Sequence, residues 1–296
     1  MQVCRYCSPK DQTPRLGLLE AGKVYALAPY FPGDVAELLA LPDPLAALAP
    51  MRDKILTGEP LAWDKLSRPP SSEGGHILPP LDKQEVWAAG VTYLRSKDAR
   101  MLESETSATV YDQVYAAERP EIFFKATPHR VVGPFDGVGI RADSHWNVPE
   151  PELALVIGPD LKLKGFTCGN DMSSRDIEGA NPLYLPQAKV YNGCCALGPA
   201  ITLAGEGFDP SDLAIRLSIG RAGVEVFSGE TTTANIKRGF DELIGYLGKS
   251  NRFPAGAFLL TGTGVVPGEG FTLAAGDLVR ITIEGIGELT NPVTVV

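Results

Sequence analysis

The stretch from Asn147 to Pro199 carries Glu150, Glu152, Asp171, Arg175, Glu178 and Lys189 among strand-forming residues, glycines and prolines. Glu150 and Glu152 are two apart, so on a strand they share a face with backbones roughly 7 Å apart. Carboxylates held that way repel unless a cation lies between them. Asp171 follows Gly169 and Asn170, and an antiparallel hairpin would return it beside the two glutamates. Three carboxylates without histidine or cysteine suit a hard divalent ion, Mg²⁺ or Mn²⁺ over Zn²⁺, with water and substrate oxygens completing its shell. Lys189 beside a chelated oxygen substrate could neutralise a developing enolate or exchange a proton, and a plain salt bridge to Glu178 is the alternative. On spacing alone, an exposed acidic edge strand accounts for the same three carboxylates.

The elements that must position these groups are mostly strands. Residues 152–157 read as a strand, 158–160 as a turn and 161–167 as the returning strand. Pro149 and Pro151 cannot donate ladder hydrogen bonds, which makes the glutamate end an edge or mouth of a sheet. Upstream, residues 85–93 form an apolar strand and 121–125 another, ending on Lys125. Between them, 94–104 and 110–117 are charged and helix-prone, either a lid over the site or a solvated helix. Strands follow at 213–219, 224–228, 258–261, 278–283 and 292–296. One amphipathic helix is predicted over 233–247, with Ile236, Phe240, Leu243, Ile244 and Leu247 on its apolar stripe. Residues 1–80 look like a separate small α/β module: a hairpin around Ala21 and Gly22, two short helices near 34–41 and 44–50, and a linker at 68–75. The fold class expected is α+β, mostly β, with the catalytic domain spanning residues 81–296.

Composition narrows the function. The 296 residues are 44% hydrophobic and 21% charged, enough for a sizeable core, and 32 glycines with 25 prolines favour a loop-rich β architecture. A net charge of −9 with no Lys/Arg cluster argues against nucleic acid and anionic membranes as partners. No apolar run approaches a membrane span and no secretory leader is visible, so a cytoplasmic protein is expected. The five cysteines are too few and too uneven for a disulfide framework, and the Cys4/Cys7 pair has no second pair to complete a zinc site.

At these residues the chain resembles the fumarylacetoacetate hydrolase family over roughly residues 85–296. The motifs are E-x-E-L-A at Glu150 and Glu152, N-D-x-S-x-R-D from Asn170 to Asp176, Lys189 ahead of Leu197-Gly-Pro, Thr261-Gly-Thr263, and E-G-I-G-x-L-x-N-P-V from Glu284 to Val293. The resemblance implies a mixed β-roll, commonly dimeric, in which Glu150, Glu152 and Asp171 bind Mg²⁺, Mn²⁺ or Ca²⁺. It places Lys125, Lys189, Thr263 and Arg175 against substrate. Hydrolytic members carry N-Y-x-x-H after the first core strand, whereas here Gly90-Val-Thr-Tyr93 runs into Arg95, Lys97 and Met101 without a histidine. With the segments 118–125 and 176–189, this is similar to the branch that dehydrates 2-keto-3-deoxy sugar acids. The implied reaction takes 2-dehydro-3-deoxy-D-arabinonate to 2,5-dioxopentanoate through a metal-stabilised enolate, in a cytoplasmic homodimer or dimer of dimers of pentose catabolism. Lys189 and Glu178 are the expected proton-transfer pair, with Arg95, Lys97 and Glu103 completing the pocket. Acylpyruvate hydrolysis and oxaloacetate decarboxylation, both starting from a chelated 2-oxo acid, are the alternatives.

Overall fold

The structure, a computed structural model, describes residues 1–71, 73–93 and 113–296. The helix expected at 94–104, and with it Arg95, Lys97 and Glu103, lies outside these residues, as does the start of the one expected at 110–117.

Among the described residues, twelve strands form one mixed sheet, five form a second and two a short third. The chemistry-bearing hairpin lies in the large sheet. Strand Pro151–Ile157 pairs antiparallel with Leu163–Asp171 on one side and with Ala257–Leu260 on the other. Beyond Ala257–Leu260 come Glu85–Gly90, in parallel, and then Glu121–Ala126. On the far side, Leu163–Asp171 pairs with Cys195–Leu203, which pairs in turn with the amino-terminal strand Gln2–Cys7.

Burial patterns follow the sequence patterns. Pro151–Ile157, a continuous apolar run after Glu152, is buried at every position, as expected of a strand covered on both faces. Ala214–Arg221 alternates Ile215, Leu217 and Ile219 inward with Arg216 outward, the mark of a sheet with one solvated face. It belongs to the five-stranded sheet ordered Val224–Thr232, Ala214–Arg221, Leu278–Ile283, Gly287–Val295, Val138–Ile140. One hydrophobic core runs from Val3, Leu18 and Leu38 through Val86, Leu155 and Leu259 to Ile281 and Leu289.

Three expectations change. The return strand does not stop at 167 but continues to Asp171, because Cys195–Leu203 pairs with it as far as Asp171. The glutamate end of Pro151–Ile157 is no exposed edge: Glu150 and Glu152 are both 2% exposed. Ala257–Leu260 does stop at Ala154, so Pro151 has a partner strand on one side only, and its missing N–H falls on the open side, where it costs nothing. The helix over 233–247 is shorter, a 3₁₀ turn at Thr233–Asn235 followed by Phe240–Gly248. The intervening backbone is drawn elsewhere, with Ile236 bridging to Tyr93 and Lys237 donating its N–H to Thr92.

Candidate active site

Strand register assembles the acidic cluster. Glu152 lies opposite Gly169 and Pro151 opposite Asn170, which brings Glu150 level with Asp171; the Asp171 N–H donates to the Glu150 carbonyl at 2.9 Å. One carboxylate oxygen from each of Glu150, Glu152 and Asp171 comes within 4.8 Å of the others, and all three residues are buried. Next to Asp171, Ser173 and Ser174 pair with Val148 and Asn147, and this turns the chain into the short helix Arg175–Ala180 that carries Arg175 and Glu178. Lys189 closes the helix Leu185–Lys189. The third wall is the turn after Ala257–Leu260. Gly262 there has φ +89, and a Cβ on it would meet Thr92 Oγ1 at 2.0 Å, so only glycine fits.

The contacts within the cluster are short and directional. Glu150 is held through Oε1 by Arg175 Nη2 at 2.9 Å and through Oε2 by Lys189 Nζ at 2.6 Å. Lys189 Nζ also donates to Asp171 Oδ2 at 2.9 Å. Glu152 Oε2 accepts the Gly262 N–H at 2.6 Å. Burial first, then the charges of Asp171 and Glu150, push the Glu152 carboxyl well above the usual range. Ser173 Oγ donates to Glu178 Oε2 at 2.9 Å. Lys125 Nζ sits 2.6 Å from Asp171 Oδ1, close but off the hydrogen-bonding direction. Burial alone would lower the Lys125 pKa; the facing carboxylate outweighs it and keeps the ammonium charged beyond the ordinary lysine range.

Glu150, Glu152, Asp171, Arg175, Glu178, Lys189 and Thr263 all line one pocket. Lys125, which the resemblance placed against substrate, is not on that wall; it has 0% exposure and donates to the main-chain oxygens of Met172 and Lys189. None of His76, His129 and His145 lines the pocket. Glu121 does, and it was not singled out from the sequence. It starts strand Glu121–Ala126 opposite Gly90, and a Cβ at residue 90 would lie 2.0 Å from Glu121 Oε2, so glycine there leaves room for the carboxylate. The available signal was strand periodicity, since residues 121, 123 and 125 share a face. Beside Gly90, Val91 adopts φ +53, an unusual conformation for a β-branched residue and the kind of strain found at binding sites.

The donor set fits a hard divalent ion. Three buried carboxylates without sulfur or imidazole are magnesium-type ligands. Among the described residues, five pocket carboxylates, Glu121, Glu150, Glu152, Asp171 and Glu178, face three cations, Arg175, Lys189 and the underlying Lys125. With every group in its charged form these described residues carry a formal excess of two negative charges, the complement of one divalent ion.

Comparisons with known proteins agree with this geometry. Residues 85–294 match the family described as fumarylacetoacetate (FAA) hydrolase C-terminal. A probable 2-keto-3-deoxyxylonate dehydratase of Haloferax volcanii is 50% identical over 221 residues, covering 75% of this chain and 76% of the relative. A 2-dehydro-3-deoxy-D-arabinonate dehydratase of Saccharolobus solfataricus is 45% identical over 220 residues, covering 73% and 74%. A solved structure of 2-keto-3-deoxy-D-arabinonate dehydratase complexed with magnesium and 2,5-dioxopentanoate superposes with TM-score 0.82 at 34% identity, over 100% of this chain and 99% of that one.

Proposed function

The chain belongs to the fumarylacetoacetate hydrolase family, and from that premise we propose that it dehydrates a 2-keto-3-deoxy sugar acid, of the 2-dehydro-3-deoxy-D-arabinonate type, to 2,5-dioxopentanoate. The observation that carries the reading is the single pocket in which three buried carboxylates adjoin Lys189 and two further carboxylates, with no histidine on the wall to activate water.

A magnesium ion (or Mn²⁺ or Ca²⁺) held by Glu150, Glu152 and Asp171 would supply Lewis acidity to the 2-oxo group and so acidify the protons on C3. The protein's part is to move two protons. A carboxylate, Glu178 or Glu121, takes one from C3. Ser173 holds Glu178 as an acceptor by donating to its Oε2. Lys189 Nζ, whose ammonium donates to Glu150 and Asp171, gives a proton to the C4 hydroxyl as its C–O bond breaks and water leaves. The elimination product, a 5-hydroxy-2-oxo-3-enoate, becomes the 2,5-dioxo acid when a proton moves from C5 to C3 and the C4–C5 enol so formed tautomerises. Arg175 and Thr263 are the proposed substrate-binding groups on the wall, with Arg95 and Lys97 assigned by the resemblance.

Incubating the protein with Mg²⁺ and 2-keto-3-deoxy-arabinonate tests the reading directly. The expected product is 2,5-dioxopentanoate, and removing the metal with a chelator should stop its formation. Pyruvate release from an acylpyruvate or from oxaloacetate, with no turnover of any 2-keto-3-deoxy acid, would overturn it. The reading extends to a homodimer or dimer of dimers working in the cytoplasm on a pentose-derived acid. The family resemblance supports this extension, and light scattering and cell fractionation are its checks.

A further inference from the structure

The two carboxylate oxygens of Asp171 are divided between two lysines, Oδ2 facing Lys189 Nζ at 2.9 Å and Oδ1 facing Lys125 Nζ at 2.6 Å. Lys125 Nζ also donates to the carbonyl oxygens of Met172 at 2.8 Å and of Lys189 at 2.5 Å. Three protein oxygens thus surround the ammonium, two carbonyls that accept its hydrogen bonds and one carboxylate oxygen paired with it by charge. Strand alternation explains the placement. Glu121 and Phe123 reach the pocket wall on the face they share with Lys125, which stays behind Asp171 and Lys189.

We infer that Lys125 is a positioning residue for the proposed reaction. It ties the side chain of Asp171, the backbone just past it and the main chain of Lys189 into one unit. The proposed metal ligand and the proposed proton donor are thereby held at a fixed separation by a group that never meets substrate. The loop of contacts closes on itself: Lys125 grips Lys189 by its carbonyl, and Lys189 grips Asp171 by its ammonium. This inference rests on the metal-site reading of Glu150, Glu152 and Asp171.

A matched control exists within the molecule. Lys164, 2% exposed, donates to the carbonyls of Leu41 and Pro42 at 2.9 and 3.0 Å and to Asp160 at 2.9 Å, and it does not line the pocket. The experiment compares Lys125→Met, Lys125→Gln and Lys164→Met with the unaltered protein. It measures Mn²⁺ affinity by calorimetry without substrate, the thermal midpoint, and kcat and KM separately at saturating Mg²⁺. Both Lys125 variants should lose about 10- to 100-fold in Mn²⁺ affinity and in kcat, the usual effect of removing a partner behind a metal ligand. Their KM should stay within about threefold, because no uniform substrate contact is removed. Lys164→Met should lower the thermal midpoint while leaving Mn²⁺ affinity and kcat unchanged. A raised KM at unchanged Mn²⁺ affinity would make Lys125 a substrate contact and overturn the inference. So would unchanged affinity and kcat in either Lys125 variant. If Lys125→Met fails to fold, Lys125→Gln, which retains a donor for a carbonyl, decides. Failure of the unaltered protein to take up Mn²⁺ would instead sink the metal-site reading.

Discussion

Residues in the cluster divide by what their oxygens and nitrogens touch. Among the described residues Glu152 hydrogen-bonds to the Gly262 N–H and to no lysine or arginine, so it depends most on an added cation. Glu152→Gln should abolish Mn²⁺ binding in a calorimetric titration and lower dehydration by at least about 100-fold; retained binding would remove it from the ligand set. Lys189→Ala should leave Mn²⁺ binding measurable, since all three carboxylate ligands remain, and lower kcat by about 10²- to 10⁴-fold, as expected for a lost general acid. Comparing Glu121→Gln with Glu178→Gln assigns the base, which is the residue whose loss costs kcat by that same order. Away from the site, His76 is 7% exposed with no partner for Nδ1 among the described residues, and burial, partly opposed by Asp136, lowers its pKa from 6.5. Below pH 6.5 the unfolded chain therefore takes up a proton that the folded protein resists. Stability should be full above that pH and decline as pH falls toward the depressed folded value. Denaturant midpoints at about pH 7.5 and about pH 5.5 should differ more for the unaltered protein than for His76→Gln.

Elements position these residues through pairing that reaches beyond local propensity. The turn at Gly262 supplies the hydrogen-bond donor to Glu152 among the described residues and packs on Thr92, whose own Oγ1 donates to the Thr261 carbonyl at 2.6 Å. Gly262→Ala forces a Cβ into a left-handed turn with no space, so it should cost about 1–3 kcal/mol in chemical denaturation and weaken metal binding with it. Unchanged stability would show that the turn relaxes freely. The shortened helix Phe240–Gly248 carries the same lesson in reverse. Its apolar stripe survives at Leu243, Ile244 and Leu247, while Ile236 and Lys237 are claimed by Tyr93 and Thr92. Helical periodicity at residue 236 was real but lost to a backbone partner distant in sequence.

Across the whole molecule, the division into residues 1–80 and 81–296, read from the linker composition at 68–75, stays a proposal alongside a family match that begins at residue 85. The two parts are not physically independent. Gln2–Cys7 pairs with both Cys195–Leu203 and His76–Leu78, and Lys164 caps the carbonyls at the end of the helix Val35–Ala40. One core contains Leu38 and Leu155 alike. A shared sheet and core predict a single cooperative transition, with calorimetric and van't Hoff enthalpies in agreement. Two resolved transitions would show that the amino-terminal module folds by itself. Because Cys195 pairs with Asp171 on the strand that the amino-terminal strand also flanks, lost pairing at Gln2–Cys7 would reach the site through one intervening strand.

By itself the sequence determined the residues that can bind a hard cation, the hairpin that joins them and the family to which they belong. It could do so because Glu150, Glu152 and Asp171 lie within one local hairpin, where strand periodicity and a short turn dictate who faces whom. The missing histidine after Tyr93 was likewise legible, since a residue type at a motif position needs no coordinates. The tertiary structure alone decided that the glutamates are buried, that Glu121 joins the pocket and that Lys125 lies behind it. Each of those depends on strands from distant parts of the chain pairing side by side. Ala257–Leu260 brings Gly262 to Glu152, and Glu85–Gly90 brings Gly90 to Glu121. Burial and contact between such elements are set by packing, which no spacing along the chain records.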